Sequence, residues 1–185
     1  MKEGQAPDVS ICMVSLNCWH VLEDCLDSIR QNCNDVTYEI IIVDNASTDQ
    51  TAQLIARGYP EVTLIRNTQN VGFSRGTNQG IQRASGRYIL WLNTDTIVHP
   101  GAISTLIRFL EQHPRTGIVG PKLLNADGSF QAQCRRGMPT PKAAFRYMLG
   151  LDKRRQSEDA YLLSHLPIDE PSKVAAVSGA CLLAR

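Results

Sequence analysis

Several things are scarce in this sequence, and each absence removes a class of protein. None of its apolar runs approaches the roughly 18 residues that span a bilayer. The longest candidates, Glu39 to Val43 and Tyr88 to Leu92, are strand-sized. The first ten residues, MKEGQAPDVS, lack the charged start and apolar centre of a signal peptide. There is no excess of one charge: 19 Lys and Arg stand against 18 Asp and Glu, a net +1. A nucleic-acid backbone is therefore not expected as the main partner, because that role calls for a clustered basic excess. The six cysteines include no C-x-x-C, and the four histidines no i, i+4 pair, so neither a zinc site nor a disulfide framework is expected. The thiols read as reduced core residues, which points to a cytoplasmic location. Peripheral association with the inner face of the cell membrane stays open.

Three familiar phosphate or nucleophile motifs are also missing. The first strand candidate is followed by SLNCWH rather than G-x-G-x-x-G, which disfavours an NAD or FAD Rossmann domain. No G-x-x-x-x-G-K-[ST] occurs, nor a G-x-S-x-G nucleophile elbow.

What remains is an ordinary globular composition, 43% hydrophobic and 20% charged over 185 residues. A chain of this length buries enough surface to fold without a staple. From Val9 to Val119 strand-like and helix-like segments alternate. Strands are expected at Val9 to Ser15, Tyr38 to Val43, Val62 to Ile65, Tyr88 to Leu92 and Gly117 to Gly120. The run EIIIV is continuously apolar, as in a strand covered on both faces.

Helices are expected from Trp19 to Asn32, from a Ser47 to Gln50 capping box to Gly58, from about Ser74 to Gly86, and from Pro100 to before Pro114. This rhythm predicts an α/β fold: a mostly parallel sheet flanked by helices in three α/β/α layers. Beyond Pro121 we expect a small β-hairpin (Leu123 to Cys134 around the turn Asn125 to Gly128). A helix near Pro141 to Leu151 should follow, then a loop bearing the basic patch Lys153-Arg154-Arg155, then a strand from Val174 to Ala184. Residues 1–8 read as a tail and 9–185 as one domain.

In an open parallel sheet, ligands bind at the carboxyl ends of the strands. Those ends are polar here: Ser15 and Asn17, then Asp44 and Asn45, then Asn93 and Asp95. Asp44 stands where an apolar strand meets a turn, as an Asx-turn residue or as an acceptor for a base or ribose. In NVGFSRGTNQG, Gly72, Gly76 and Gly80 recur every four residues. Their bare face suits close packing on a sheet or close approach of a ligand, with Asn70 and Asn78 supplying amides. Asn93 and Asp95, two apart at a strand end, would project to one side and could share an ion or a ribose. One carboxylate is enough for Mg²⁺ or Mn²⁺ when substrate oxygens complete the shell.

Taken in order, EIIIVDNASTDQT, NVGFSRGTNQGIQRASGRYILWLNTDT and VSGACLLAR resemble the family 2 inverting glycosyltransferases of the GT-A fold, in the rhamnosyltransferase and galactofuranosyltransferase branch. The resemblance runs from Val9 to the end. It implies a nucleotide-diphosphate sugar as donor, a UDP- or dTDP-sugar with rhamnose as one candidate, and a divalent cofactor, Mn²⁺ or Mg²⁺. It also implies a glycan or lipid-linked acceptor and a role in cell-surface polysaccharide synthesis. Ser15 and Asn17 would lie along the base, Asp44 would hydrogen-bond it, and Asn70 with Asn78 would line the same pocket.

Asn93-Thr94-Asp95 matches the D-x-D position, with Asn93 near the ribose and Asp95 as the metal ligand. Gly179, in Ser178-Gly179-Ala180, would run beside the diphosphate or sugar. Arg135 and Arg136 stand where the family often carries an Arg. The family's general base lies in an acidic motif downstream of the VSGAC-like strand, so it is expected beyond Arg185. None of Asp152, Glu158, Asp159, Asp169 and Glu170 sits in such a motif. A non-catalytic nucleotide-sugar binding module is the alternative. A nucleotidyltransferase is weaker, because SLNCWH has no glycine.

Overall fold

The computed structural model describes residues 6–138, 140, 141, 145, 148, 149, 163 and 165–185. The chain divides into two compact units, Met1–Val119 with Gly179–Arg185, and Gly120–Ser178.

The first unit is built on a six-stranded sheet. Its strands are β1 (Val9–Ser15), β2 (Tyr38–Asp44), β3 (Val62–Arg66), β4 (Tyr88–Leu92), β5 (Ile118–Val119) and β8 (Cys181–Ala184), in the spatial order β3-β2-β1-β4-β8-β5. The first four strands run parallel, and β8 is antiparallel to both β4 and β5. Register sets Ser15 beside Asp44 and Asp44 beside Arg66, so the three strand ends lie level.

Alternation along the strands decides which residues meet which helix. Cys12, Ile41 and Trp91 form a buried cluster on one face, with Val14, Ile65, Ile89 and Leu182 around it. Helix α3 (Phe73–Arg83) lies on this face and turns Gly76 and Gly80 toward it. A Cβ on Gly76 would sit 3.0 Å from a Val14 methyl, and one on Gly80 3.6 Å from the Cys12 Cβ. These two glycines therefore serve close helix–sheet packing.

Met13 points the other way, and Cys25 of α1 (Trp19–Asn32) meets it there at 4.0 Å between sulfurs. Helix α2 (Thr51–Gly58) joins this layer through Tyr59, whose hydroxyl donates to Asp27 at 2.7 Å. Helix α4 (Ala102–Gln112) buries Ile103, Leu106, Ile107 and Leu110, and its Ser104 hydroxyl donates to Asp35 just past α1. With Ile40 to Val43 buried throughout, β2 is covered on both faces, as its apolar run requires. Cys12, Cys25, Cys33, Cys134 and Cys181 are buried free thiols, and burial pushes Cys25 up to about 11.

The second unit is less regular. The expected hairpin shrinks to a turn held by one bridge, Leu124 to Phe130, after which the chain enters a 3₁₀ turn at Ala132–Cys134. Strand β6 (Arg135–Arg136) then pairs antiparallel with β7 (Ala176–Val177). The expected single strand Val174 to Ala184 is thus two short ones, β7 in the second unit and β8 in the first. The helix expected at Pro141 to Leu151 lies mostly outside the described residues, and the Lys153-Arg154-Arg155 patch wholly so.

Candidate functional site

The carboxyl ends of β1 and β2 are locked together by side chains. Asp44 is only 1% exposed. Its Oδ1 accepts from the Ser47 hydroxyl and, at 3.4 Å, from the buried Ser15 hydroxyl, while Oδ2 accepts from the Ser47 N–H at 3.2 Å. The Ser47 hydroxyl oxygen in turn accepts the Asn17 N–H at 3.0 Å.

This overturns the expected capping box. Ser47 is drawn to Asp44, and α2 starts only at Thr51, with no side-chain cap from its N-cap residue Gln50. The N–H groups of the loop go elsewhere: Asn17 Oδ1 accepts those of Thr48 at 2.8 Å and Asp49 at 3.3 Å, and Asp49 accepts that of Thr51 at 2.9 Å. Asn17 and Ala46 both hold left-handed backbone, at φ +50° and +69°. Asn tolerates that region, but Ala does so at a cost of roughly 1–2 kcal/mol, so the hydrogen bonds around it have strain to hold.

A second lock ties β2 to the loop that enters α3. Asn45, 3% exposed, donates from its side-chain nitrogen to Asn70 Oδ1 at 2.8 Å. Its oxygen accepts from the Val71 N–H at 3.0 Å and from Asn67 at 3.2 Å. Asn67 and Gln79 pair reciprocally at 2.9 and 3.0 Å, which anchors the loop to α3. Asn70 Oδ1 also accepts the Gly72 N–H at 2.8 Å, just where Gly72 takes φ +83° to open the helix.

Sequence reasoning singled out Asn70, named Asn45 only as part of a polar strand end and Ser47 only as a helix cap, and missed Asn67 and Gln79. Asn78 is not part of this cluster. It is exposed and lies two residues from both Gly76 and Gly80, on the helix face turned away from the sheet.

The end of β4 is built differently from the sequence expectation. The strand stops at Leu92, so Asn93 to Asp95 form a turn and strand alternation does not govern them. The Asn93 N–H donates to the Ala180 carbonyl at 2.8 Å, and the Asn93 carbonyl accepts the Thr96 hydroxyl at 2.7 Å. Asn93 is half-buried and Asp95 exposed, and the Asp95 carboxylate makes no hydrogen bond or ion pair with the described residues.

No group of three or more His, Cys, Asp or Glu that could hold a metal occurs among the described residues. A single free carboxylate fits Mg²⁺ or Mn²⁺ only in the manner of phosphate sites, where substrate and water oxygens supply the rest of the shell. Gly179 is exposed, and a Cβ there would meet nothing within 4 Å.

Within the second unit Arg135 is a structural clamp. Its guanidinium donates to the carbonyls of Pro167 at 2.6 Å and Leu166 at 2.7 Å and lies over the Phe130 ring. Arg136 donates to the Gln133 carbonyl at 3.4 Å.

The sheet, parallel from β3 through β4 with antiparallel β8 beside β4, matches the GT-A fold of solved glycosyltransferases. The mannosyltransferase PcManGT of Pyrobaculum calidifontis, in complex with GDP-Man and Mn²⁺, matches with a TM-score of 0.57 at 23% identity, over 66% of this chain and 37% of that one. S. aureus TarS 1-349 in complex with UDP-GlcNAc gives 0.59 at 20% identity, over 69% and 38%.

The family model of glycosyl transferase family 2 matches residues 10–166, and the chain belongs to that family. Among curated relatives, a PGL/p-HBAD biosynthesis glycosyltransferase of Mycobacterium tuberculosis is 33% identical over 131 residues, covering 68% of this chain and 50% of its own length. The N-acetylglucosaminyl-diphospho-decaprenol L-rhamnosyltransferase of M. tuberculosis is 29% identical over 160 residues, covering 79% and 51%. The chain thus spans about half the length of the curated relatives it matches.

Proposed function

We propose that this chain is the donor-binding part of an inverting glycosyltransferase that moves a sugar from a UDP- or dTDP-sugar, rhamnose being one candidate, to a glycan or lipid-linked acceptor. The observation that carries this reading is the contrast between the two strand-end regions. At β1 and β2 the polar side chains are committed to each other, a fixed shelf on which a nucleoside would rest. At β4 the Asp95 carboxylate is uncommitted and exposed.

Inversion requires an acceptor hydroxyl to attack the anomeric carbon as the nucleoside diphosphate leaves from the opposite face. Negative charge then grows on the phosphate oxygens, and a bound Mn²⁺ or Mg²⁺ would offset it as a Lewis acid. Asp95 is the residue that would hold that ion. Asn93 would face the ribose, Gly179 would let the diphosphate or sugar approach the backbone, and Asn17 and Asn70 would frame the base, with the buried Ser15 and Asp44 bracing the Ser47 loop behind them. A carboxylate must accept the hydroxyl proton, and no residue of this chain is assigned that task.

No helix among the described residues is long and apolar enough to cross a membrane. With a lipid-linked acceptor, the reaction would take place against the cytoplasmic face of the membrane. Titration calorimetry with UDP, dTDP and GDP, each with and without Mn²⁺, tests the reading. Binding of UDP or dTDP that tightens with metal supports it, and absence of binding to all three would overturn it. A panel of nucleotide sugars with turnover as the readout separates the enzyme from a non-catalytic binding module.

A further inference from the structure

Past Leu92 the chain leaves β4, and residues 93–98 run on without regular structure, with no ladder to pair their backbone. A buried peptide group still needs partners. At Val98, 6% exposed, helix α1 supplies both of them. The Val98 N–H donates to the Ser28 hydroxyl oxygen at 2.9 Å, and the Val98 carbonyl accepts from the Asn32 side-chain nitrogen at 2.8 Å. The Ser28 hydroxyl donates in turn to the Cys25 carbonyl at 2.7 Å, which spends its one hydrogen and leaves its oxygen for Val98.

The near end of the segment rests on the same helix. The Cys25 sulfur lies 3.8 Å from both the Asn93 carbonyl oxygen and the Thr96 hydroxyl. Cys25, Ser28 and Asn32 follow one another at spacings of three and four, so they form one stripe along α1. Ser28 is itself buried at 6%. An apolar residue would fill that place equally well, but it would leave the Val98 N–H unpaired. Between the two anchored ends stands Asp95, whose carboxylate makes no hydrogen bond or ion pair with the described residues. Its position is therefore set by the backbone beneath it, which a helix seventy positions earlier in the chain holds in place.

We propose that Ser28 and Asn32 are positioning residues for the metal step: by gripping the Val98 peptide group they fix the segment on which Asp95 meets the cation. Both lie on α1, outside the strand-end pocket for the nucleotide. The proposal rests on the donor-binding reading above, in which Asp95 holds Mn²⁺ or Mg²⁺, and adds the part of the fold that aims it.

The test separates aim from stability. UDP affinity is measured with and without Mn²⁺ in Ser28→Ala and in the milder Asn32→Ala, whose side chain is only half-buried. Metal-free affinity should stay within about twofold of the unaltered chain, while the factor by which Mn²⁺ tightens binding falls by about tenfold, the lower end of what supporting contacts around a metal ligand are worth. Gly86→Ala serves as a destabilised control, since a Cβ there would lie 2.6 Å from the Ser10 nitrogen at the opposite end of the sheet. It should keep the full Mn²⁺ effect.

Amide hydrogen exchange reads the grip without any ligand. The Val98 N–H should exchange about tenfold or more faster in Ser28→Ala, while the amides of β2 keep their protection. An undiminished Mn²⁺ effect in Ser28→Ala and Asn32→Ala overturns the proposal, as does an equal loss of metal-free affinity, which marks general damage. Unchanged exchange at Val98 overturns it too. If the unaltered chain binds UDP with no Mn²⁺ effect, the metal reading itself fails and takes the proposal with it, a result seen before any variant is made.

Discussion

Ser47 holds both carboxylate oxygens of Asp44, one through its hydroxyl and the other through its backbone N–H. Removing the hydroxyl leaves a buried carboxylate oxygen with only the long contact from Ser15. Ser47→Ala should therefore lower stability by about 1–3 kcal/mol, the cost of an unsatisfied buried polar group. Urea unfolding measures this, and a change under a few tenths of a kcal/mol would show that the lock is not energetically important.

At the opposite end of the sheet, Glu39 gathers three donors from two segments: the Ser10 hydroxyl at 2.5 Å, and the Ser85 N–H and hydroxyl at 2.7 and 2.8 Å. Burial alone would raise its pKa, but these hydrogen bonds outweigh it and hold the carboxyl below its ordinary value. Because the folded pKa is the lower one, Glu39 contributes stability at neutral pH. That contribution fades as pH falls from about 4.3, the unfolded value, through the depressed folded value. Glu39→Gln should flatten this acid limb in urea titrations across that range. An unaltered slope would remove Glu39 from the account.

Gly86 sits against the same cluster. A Cβ there would lie 2.6 Å from the Ser10 nitrogen and 2.8 Å from the Val9 carbonyl carbon, both of them backbone atoms that cannot rotate away. Gly86→Ala should cost about 1–3 kcal/mol through overpacking. Gly58, the last residue of α2, has nothing within 4 Å of its Cβ position. Gly58→Ala should be neutral or stabilise by up to about 1 kcal/mol through helix propensity. Thermal melts of the pair check the contrast.

The Asp95 carboxylate makes no hydrogen bond or ion pair with the described residues. Asp95→Ala should melt at the same temperature as the unaltered chain and lose the Mn²⁺-dependent part of its UDP affinity, while the metal-free affinity is retained. Calorimetry with and without Mn²⁺ decides this, and an undiminished metal effect would move the ion to another residue.

The elements governed by local pattern were legible in the sequence. Helix α1 runs from Trp19 to Asn32, as the spacing of its apolar residues requires, and β2 follows its uninterrupted apolar run. Where side chains from distant segments compete, local rules failed. Ser47 reads as a helix cap beside Gln50, yet its hydroxyl prefers Asp44, and Asn17, thirty-one positions before Thr48, caps the loop in its place.

The division of the last strand escaped notice because Ala176 and Cys181 belong to one apolar-rich stretch while pairing with different partners, Arg136 and Leu92. Within the site, Ser15, Asn17, Asp44 and Asn70 were legible as polar residues closing or following strands. Asn45 was legible as a polar strand end but not as a lock, since nothing in its neighbourhood foretells a bond to a residue twenty-five positions on.

Strand β8 has a consequence for how the sheet comes into being. It fills the place between β4 and β5, pairing Ile89 with Ala184 and Leu92 with Cys181. Those partners are separated by the whole of the second unit. During synthesis, β1 to β4 and their helices are complete long before β8 arrives, and in that interval β4 is an open edge carrying Leu90, Trp91 and Leu92. An unpaired apolar edge invites pairing between molecules, and contacts this distant in sequence form slowly. The chain is most exposed to aggregation while it is being made, and the arrival of β8 ends that exposure.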